Sequence, residues 1–472
     1  MLTPYKSVLI LLLSVLVFNN SFCQQATRHK GGKVQVWLTD PSDSIFFKQR
    51  EAIKFGGTKV QSQTIKIDRG QVYQSIDGFG YALTGGSAML INKMSAGSRA
   101  KLLNTLFTTN GSSIGVSYLR ISVGSSDLDD HVFSYDDLPA GETDPQLKKF
   151  SLAADETNLI PVLKQILAIN PKIKILISPW SPPAWMKTNG ETRGGHLKPE
   201  YYKTYAQYFI KYIKGMRARG ITIDALTIQN EPLNPKNNPS MVMEAPEQAD
   251  FIANNLGPAL AAAKLKTKII LYDHNADRPD YPISVLDNKT AAKYVDGSAF
   301  HLYGGKIDAL STVHNAHPDK NLYFTEQWVG APGDLKAELK FHIKEIIIGA
   351  TRNWSRNVIE WNLASDQNLE PHTPGGCTQC LGAITVKGDD ITHNPAYYII
   401  AHAAKFVRPG SKRIGSNLLT NLPNVAFVNP GGKMVLIVYN DDKAAQTFNI
   451  QVGERTVSSS LNPGAVATYI WN

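Results

Sequence analysis

Two glutamates stand out by what flanks them. Glu231 lies in TIQNEPLN (227–234), where the apolar run Ile221, Ile223, Ala225, Leu226 and Ile228 stops at Asn230, with Pro232 behind. Glu326 lies in NLYFTEQW (321–328), again at the end of an apolar run. A pair of carboxyl groups held at the ends of buried segments can do acid–base chemistry. One, protonated, gives a proton to a leaving oxygen; the other, ionised, attacks or guides water. That is the minimum for cleaving a glycosidic bond through an oxocarbenium-like transition state. Both groups start near pKa 4.3, so their surroundings must drive them apart. Either glutamate alone reads as a solvated loop residue or a charge at a helix N-terminus; the pairing carries the meaning.

What must position them is a repeating unit. Strand candidates run at 78–84, 116–123, 173–180, 223–231, 267–275, 296–303, 321–328 and 357–364. Helical patterns lie at 95–107, 156–169, 199–218, 245–263, 334–353 and 394–407. The strands are nearly continuous apolar runs, as strands covered on both faces are. Eight such strands alternating with helices predict an α/β fold, a (β/α)8 TIM barrel over 77–407. An open doubly wound sheet alternates too, but no Gly-rich phosphate loop follows an early strand. In a barrel the C-terminal strand ends share one face. Arg120, Trp180, Asn230, Glu231, His301, Tyr303, Glu326, Trp361 and Asn362 stand at such ends.

That rim suits sugar. Indole faces stack on the C–H side of a pyranose, while amides and carboxylates bind hydroxyls. Trp180 and Trp361 have rim packing as their plain alternative, and His301 could simply satisfy backbone groups. Barrel geometry can bring Arg120 and Tyr303 to Glu326, and a nearby cation favours the ionised form, so Glu326 is the better nucleophile. Glu231 has no cation in its local sequence and is the better proton donor. Asn230 would bind the hydroxyl at sugar carbon two. No His/Asp/Glu trio has convincing metal spacing, so neither a metal nor another cofactor is expected.

The flanks alternate at period two. Residues 24–76 and 408–472 each hold too few strands for a sandwich, and together they predict one side β-sandwich built from both chain ends. MLTPYKSVLILLLSVLVFNNSFCQQ has Lys6, a short apolar run and small residues, the pattern of a signal peptide cleaved after Cys23. This predicts a secreted or periplasmic protein, with lipoprotein anchoring at Cys23 less favoured because bulky Phe22 precedes it. No integral membrane span is expected. Cys377 and Cys380 in GGCTQC could form a small loop disulfide; half a zinc site with nearby His372 is the weaker alternative. The formal net charge is +9, yet no dense basic run with interleaved aromatics appears, so nucleic acid is not an expected partner. Oligomeric state is not legible.

DGFGYALTGGSA (77–88), SYLRISVGSSDL (117–128), ILISPWSPPAWMKTNG (175–190), TIQNEP (227–232), HLY (301–303), FTEQW (324–328) and EWNLA (360–364) resemble glycoside hydrolase family 30, the glucosylceramidase-like retaining β-glycosidases. The segments keep the family's order over nearly the whole barrel; SPWSPPAWMKTNG with QNEP is the specific part. The resemblance implies Glu231 as general acid/base, Glu326 as nucleophile, and double displacement with retention. It implies Asp127, Trp180, Asn230 and Trp361 around the sugar, His301 and Tyr303 around the nucleophile, and Arg120 as its support. The loop 366–386 looks like bacterial members acting on β-1,6-glucans or other β-glucosides, so a β-glucan or β-glucoside is the expected substrate. Xylan, fucosides or galactans on the same scaffold are the rival, as is a catalytically silent glycan-binding protein.

Overall fold

The computed structural model describes residues 1–2, 32–56 and 63–472. The leader expected at 1–23, apart from its first two residues, lies outside them, and so does Cys23. Among the described residues no helix is long and apolar enough to cross a membrane.

Eight parallel strands close into a barrel: β1 (Gly78–Ala82), β2 (Tyr118–Ser122), β3 (Lys174–Ser178), β4 (Ala225–Thr227), β5 (Lys268–Ala276), β6 (Val295–Gly305), β7 (Asn321–Glu326) and β8 (Ser355–Glu360). β8 pairs with β1, which seals the ring. The apolar runs are continuous because both faces are covered. Leu119, Ile121, Ile175, Ile177 and Leu226 face outward into the helical layer. Tyr118, Leu176, Ala225, Ile270, Ala299, Tyr323 and Ile359 fill the lumen as a separate apolar plug. The barrel is therefore a packed core with a floor, and chemistry is confined to its mouth.

The helices form where expected. Ala96–Phe107 starts on Ser95, whose hydroxyl accepts from Ser98 N–H. Tyr202–Ala218 buries Tyr205, Tyr208, Phe209, Tyr212 and Met216 on one stripe and leaves Lys203, Lys211, Lys214 and Arg217 in solvent. Gly85–Lys93, Asp280–Asp287, Lys289–Ala292 and Ala309–Ala316 are additional helices. Each is too short to stand out by periodicity.

Both chain ends join one nine-stranded sheet beside the barrel. Its strands are Lys33–Asp40, Ile45–Lys54 and Gln63–Ser75 from the front, and Lys412–Ser416, Asn424–Val428, Met434–Tyr439, Gln446–Val452, Arg455–Leu461 and Val466–Trp471 from the back. The sheet curls so that its edge strands Ile45–Lys54 and Arg455–Leu461 meet. Met434–Tyr439 shows how the layers divide. Val435, Ile437 and Tyr439 join the barrel's core, while Met434, Leu436 and Val438 enclose the sandwich's own. The sequence pattern reads Gln63–Ser75 as two strands and misses Lys412–Ser416 and Arg455–Leu461, because KRIGS and RTVSSSL carry few apolar residues.

Candidate active site

The mouth is built two residues on from the apolar plug. From Tyr118, Leu176, Ala225, Ala299, Tyr323 and Ile359, one step of strand alternation leads to Arg120, Ser178, Thr227, His301, Thr325 and Trp361. A polar layer thus sits on an apolar one, and Arg120 at 0% exposure is its centre. Its guanidinium makes a short contact with Glu326 Oε2, and Nη2 reaches Asn230 Oδ1 at 2.7 Å and Asp273 Oδ2 at 2.9 Å. Asn230 Oδ1 is thereby occupied, which leaves Nδ2 as its donor.

β5 departs from alternation. Its register with β6 shifts between Tyr272 and His274, and Tyr272 and Asp273 have φ of 72° and 67°. The bulge sends two consecutive side chains to the site. Asp273 accepts from Arg120, Ser178 (2.9 Å), Thr227 (2.6 Å) and Thr325 (2.6 Å), and its Oδ1 lies 3.1 Å from His301 Nε2. With Arg120, Thr227 and His301 around it, Asp273 is held far below the usual carboxylate range against burial. His274 Nδ1 lies 3.8 Å from Glu231 Oε1.

Glu231 follows β4 with φ 46°, a left-handed backbone that costs a non-glycine residue on the order of 1 kcal/mol or more. Glu231 N–H donates to Asp273 O at 2.9 Å and Asn230 N–H to Pro179 O at 2.8 Å, which fix the turn. Asn234 Nδ2 donates to Glu231 Oε2 at 2.7 Å. Glu326, after a register shift at the end of β7, accepts from Tyr303 OH at 3.1 Å through Oε1. His301 Nδ1 joins the pair: it is 3.4 Å from Glu231 Oε1 and 3.8 Å from Glu326 Oε1. The two carboxyl oxygens therefore lie no farther apart than those distances together, on one end of the barrel.

The electrostatics run against the expected split, in which a cation keeps Glu326 ionised and Glu231 is the more readily protonated. Glu231 has no cation in its local sequence, but the closed barrel brings His301 and His274 beside it. Burial raises its pKa, and the hydrogen bond and charge of His301, the charge of His274 and the Asn234 amide outweigh that and bring it down to about 2. Burial raises Glu326, joined by the charges of Glu231 and Asp273, against the pull of His301 and Arg120. His301 itself rises to about 9 against burial, through the Glu326 charge, its bond to Asp273 and its contact with Glu231. One proton is thus held within the His301–Glu231 contact, and with the ring charged it rests on nitrogen.

Glu231, Glu326, Asp127, Tyr303 and Trp361 line a cleft of about 530 Å³ together with Leu233, Asn237, Trp328, Cys377 and Cys380. Arg120, Trp180, Asn230 and His301 stand behind that lining. Trp180 stacks on Trp361 at 5.3 Å, and Arg120 lies 4.8 Å over its ring, so Trp180 serves Trp361 from behind instead of offering a face to the cleft. Asp127 is pushed up to about 7 by burial and the Glu326 charge. Cys377 and Cys380 are disulfide-bonded. Sequence reasoning missed Asp273, His274 and Asn234. The signal was present for the first two, since YDHN ends the fifth strand as QNE ends the fourth.

Among the described residues, Glu231, His274 and His301 place ligand atoms within 4.8 Å of one another. Glu231 Oε1 already lies 3.4 Å from His301 Nδ1, and a metal held by that oxygen would compete with the shared proton.

A (β/α)8 barrel with two glutamates meeting over one histidine at its C-terminal mouth defines the class: a glycoside hydrolase. The family models agree in detail. Residues 76–407 match the glycosyl hydrolase family 30 TIM-barrel domain and residues 410–469 the family 30 beta sandwich domain. The chain belongs to glycoside hydrolase family 30, whose members work with retention. It is 40% identical over 354 residues to an endo-1,6-beta-D-glucanase of Neurospora crassa, covering 72% of this chain and 71% of that one. Against the lysosomal acid glucosylceramidase of Mus musculus it is 30% identical over 432 residues, 84% of this chain and 81% of that one. A solved endo-beta1,6-glucanase superposes with TM-score 0.86 at 34% identity, covering 93% of this chain and 99% of that one.

Proposed function

We propose that this chain is a secreted endo-β-1,6-glucanase in which Glu326 is the nucleophile and Glu231 the acid/base. One observation supports the roles above others: Glu326 is clamped by Arg120, a cation at every working pH, whereas Glu231 shares its proton with a histidine that can return it. Attack by Glu326 on the anomeric carbon breaks the bond to the leaving oxygen, which takes the proton from the Glu231–His301 contact. Forming the glycosyl ester removes the Glu326 charge, and with it a charge that raises His301. Glu231 is then free to act as base toward water, and the second displacement restores the β configuration. Asp127, Tyr303 and Trp361 bind the sugar, with Asn230 Nδ2 donating to the hydroxyl at carbon two. The linkage reading rests on the likeness to endo-1,6-glucanases in sequence and in structure.

The test is a panel of β-1,6-, β-1,3- and β-1,4-glucans, xylan and glucosylceramide with products followed in time. Oligosaccharides of mixed length from β-1,6-glucan, released as β-anomers, are the expected result. Cleavage of xylan or glucosylceramide alone would overturn the substrate, and glucose as the sole early product would overturn the endo mode. Secretion is tested by sequencing the exported protein: a start at Gln24 is expected, and a lipid on Cys23 would contradict it.

A further inference from the structure

GGCTQC contributes no group to the displacement chemistry, yet it sits in the cleft wall. The loop after β8 presses on Asp127: Thr373 N–H donates to Asp127 O at 2.9 Å, and Cys377 N–H to Asp127 Oδ2 at 3.3 Å. A methyl at Gly376 would stand 2.4 Å from Asp127 O, so the backbones touch there and only glycine fits. At the other end of the turn, Cys380–Leu381 pairs with Val329–Gly330, and Ala331 N–H donates to Gln379 O at 2.9 Å. Val329 is three residues beyond Glu326. Cys380 is also buried against Trp180, Trp361 and Leu128. The disulfide thus closes a path from Asp127 through Cys377 and Cys380 to the segment that carries Glu326.

We propose that the Cys377–Cys380 disulfide is a positioning element of the sugar site, acting through Asp127. It fixes the turn whose N–H orients the Asp127 carboxylate, and it braces that carboxylate against the wall bearing Glu326. Asp127 sits among like charges that favour its protonation, and the Cys377 N–H is one of the groups that oppose this. A free turn would loosen the bond and leave Asp127 easier to protonate. The proposal rests on the reading of the cleft as a glucoside site.

The experiment is a double-mutant cycle on β-1,6-glucan, combining Asp127→Asn with Cys377→Ser/Cys380→Ser. The serine pair is expected to lower kcat/KM by about 10-fold and Asp127→Asn by more, and together they cost no more than Asp127→Asn alone, because coupled sites are not additive. The acid limb of the serine pair's pH profile is expected to move to higher pH. If the serine pair does not fold, the cycle is run on folded wild type and Asp127→Asn treated with dithiothreitol, which reduces the disulfide to two thiols while its own thiols close to a disulfide. Penalties that multiply, or an unmoved acid limb, overturn the proposal while leaving the glucanase reading intact. Asp127→Asn as active as wild type overturns the proposal together with Asp127's place in the sugar site.

Discussion

Among the described residues His301 and His402 are both fully buried, and their surroundings send them in opposite directions. His301, at the barrel mouth, is pushed up to about 9 by Glu326, Asp273 and Glu231. His402, where the helix Pro395–Ala404 meets the sandwich, is pushed down to about 3 by burial alone. Its ring lies between Thr468 Oγ1 and Thr39 Oγ1, both at 2.9 Å. Desolvation opposes the charged ring at both places. Carboxylates reverse it in one and hydroxyls do not in the other. The same residue is therefore a proton store in the site and a neutral strut at the domain interface.

The strongest way to break the contrast is to remove the charge that raises His301. Glu326→Gln is expected to lower kcat by at least about four orders of magnitude, as loss of a covalent nucleophile does. The His301 resonance, followed by NMR, should titrate well below 9. Full activity would end the assignment of Glu326. Next in size is Asp273→Asn, which strips Arg120 and His301 of a shared buried partner. Breaking a buried pair from one side costs roughly 3–5 kcal/mol, measurable by chemical denaturation. A loss within error would mean that Glu326 and Asn230 suffice to hold Arg120.

Asp273 also marks where the sequence stopped being legible. The barrel, those flanking sandwich strands that are rich in apolar residues, and both glutamates could be read because each depends on a local pattern: apolar runs, their spacing, and the residue at the strand end. The same rule applied to TKIILYDHN would have yielded Asp273 and His274. What no local pattern states is that a bulge turns both toward the lumen, since regular alternation allows only one. Trp180 fails the other way. Its position at a strand end was right, but stacking behind Trp361 is a property of the packed rim. His301 was legible as a site residue, whereas its contact with both glutamates required the ring to close.

The two histidines also part company with pH. A histidine with a folded pKa near 3 and an unfolded value of 6.5 binds fewer protons in the folded state. Stability from His402 is therefore present above pH 6.5 and is lost as pH falls toward 3. Between pH 7 and 4.5 the loss is about 3 kcal/mol. His301 has the opposite sign: its contribution is complete below 6.5 and disappears as pH rises through about 9. His402→Gln should flatten the acid side of the stability profile and leave the alkaline side as it is. A profile unchanged on the acid side would place acid sensitivity elsewhere.

The smallest expected effect asks why hydroxyls leave His402 neutral. Phe47 N–H donates to Thr39 Oγ1 at 3.0 Å, so the Thr39 hydrogen is free to point at His402 Nε2. Thr468 Oγ1 is 3.0 Å from His402 O, which takes its hydrogen, and so Thr468 must accept from Nδ1–H. Every donor and acceptor is then used by the ring carrying one hydrogen, on Nδ1. A second ring hydrogen would face Thr39 and turn that hydroxyl's hydrogen away from its acceptor. Thr468→Val keeps the shape and removes the Nδ1 partner, leaving a buried N–H unmet at a cost of about 1–2 kcal/mol at pH 7. The acid-side slope should persist in this variant, because burial itself is untouched. A slope that vanished with Thr468 would show that the hydroxyl network, and not desolvation, sets the difference between the two histidines.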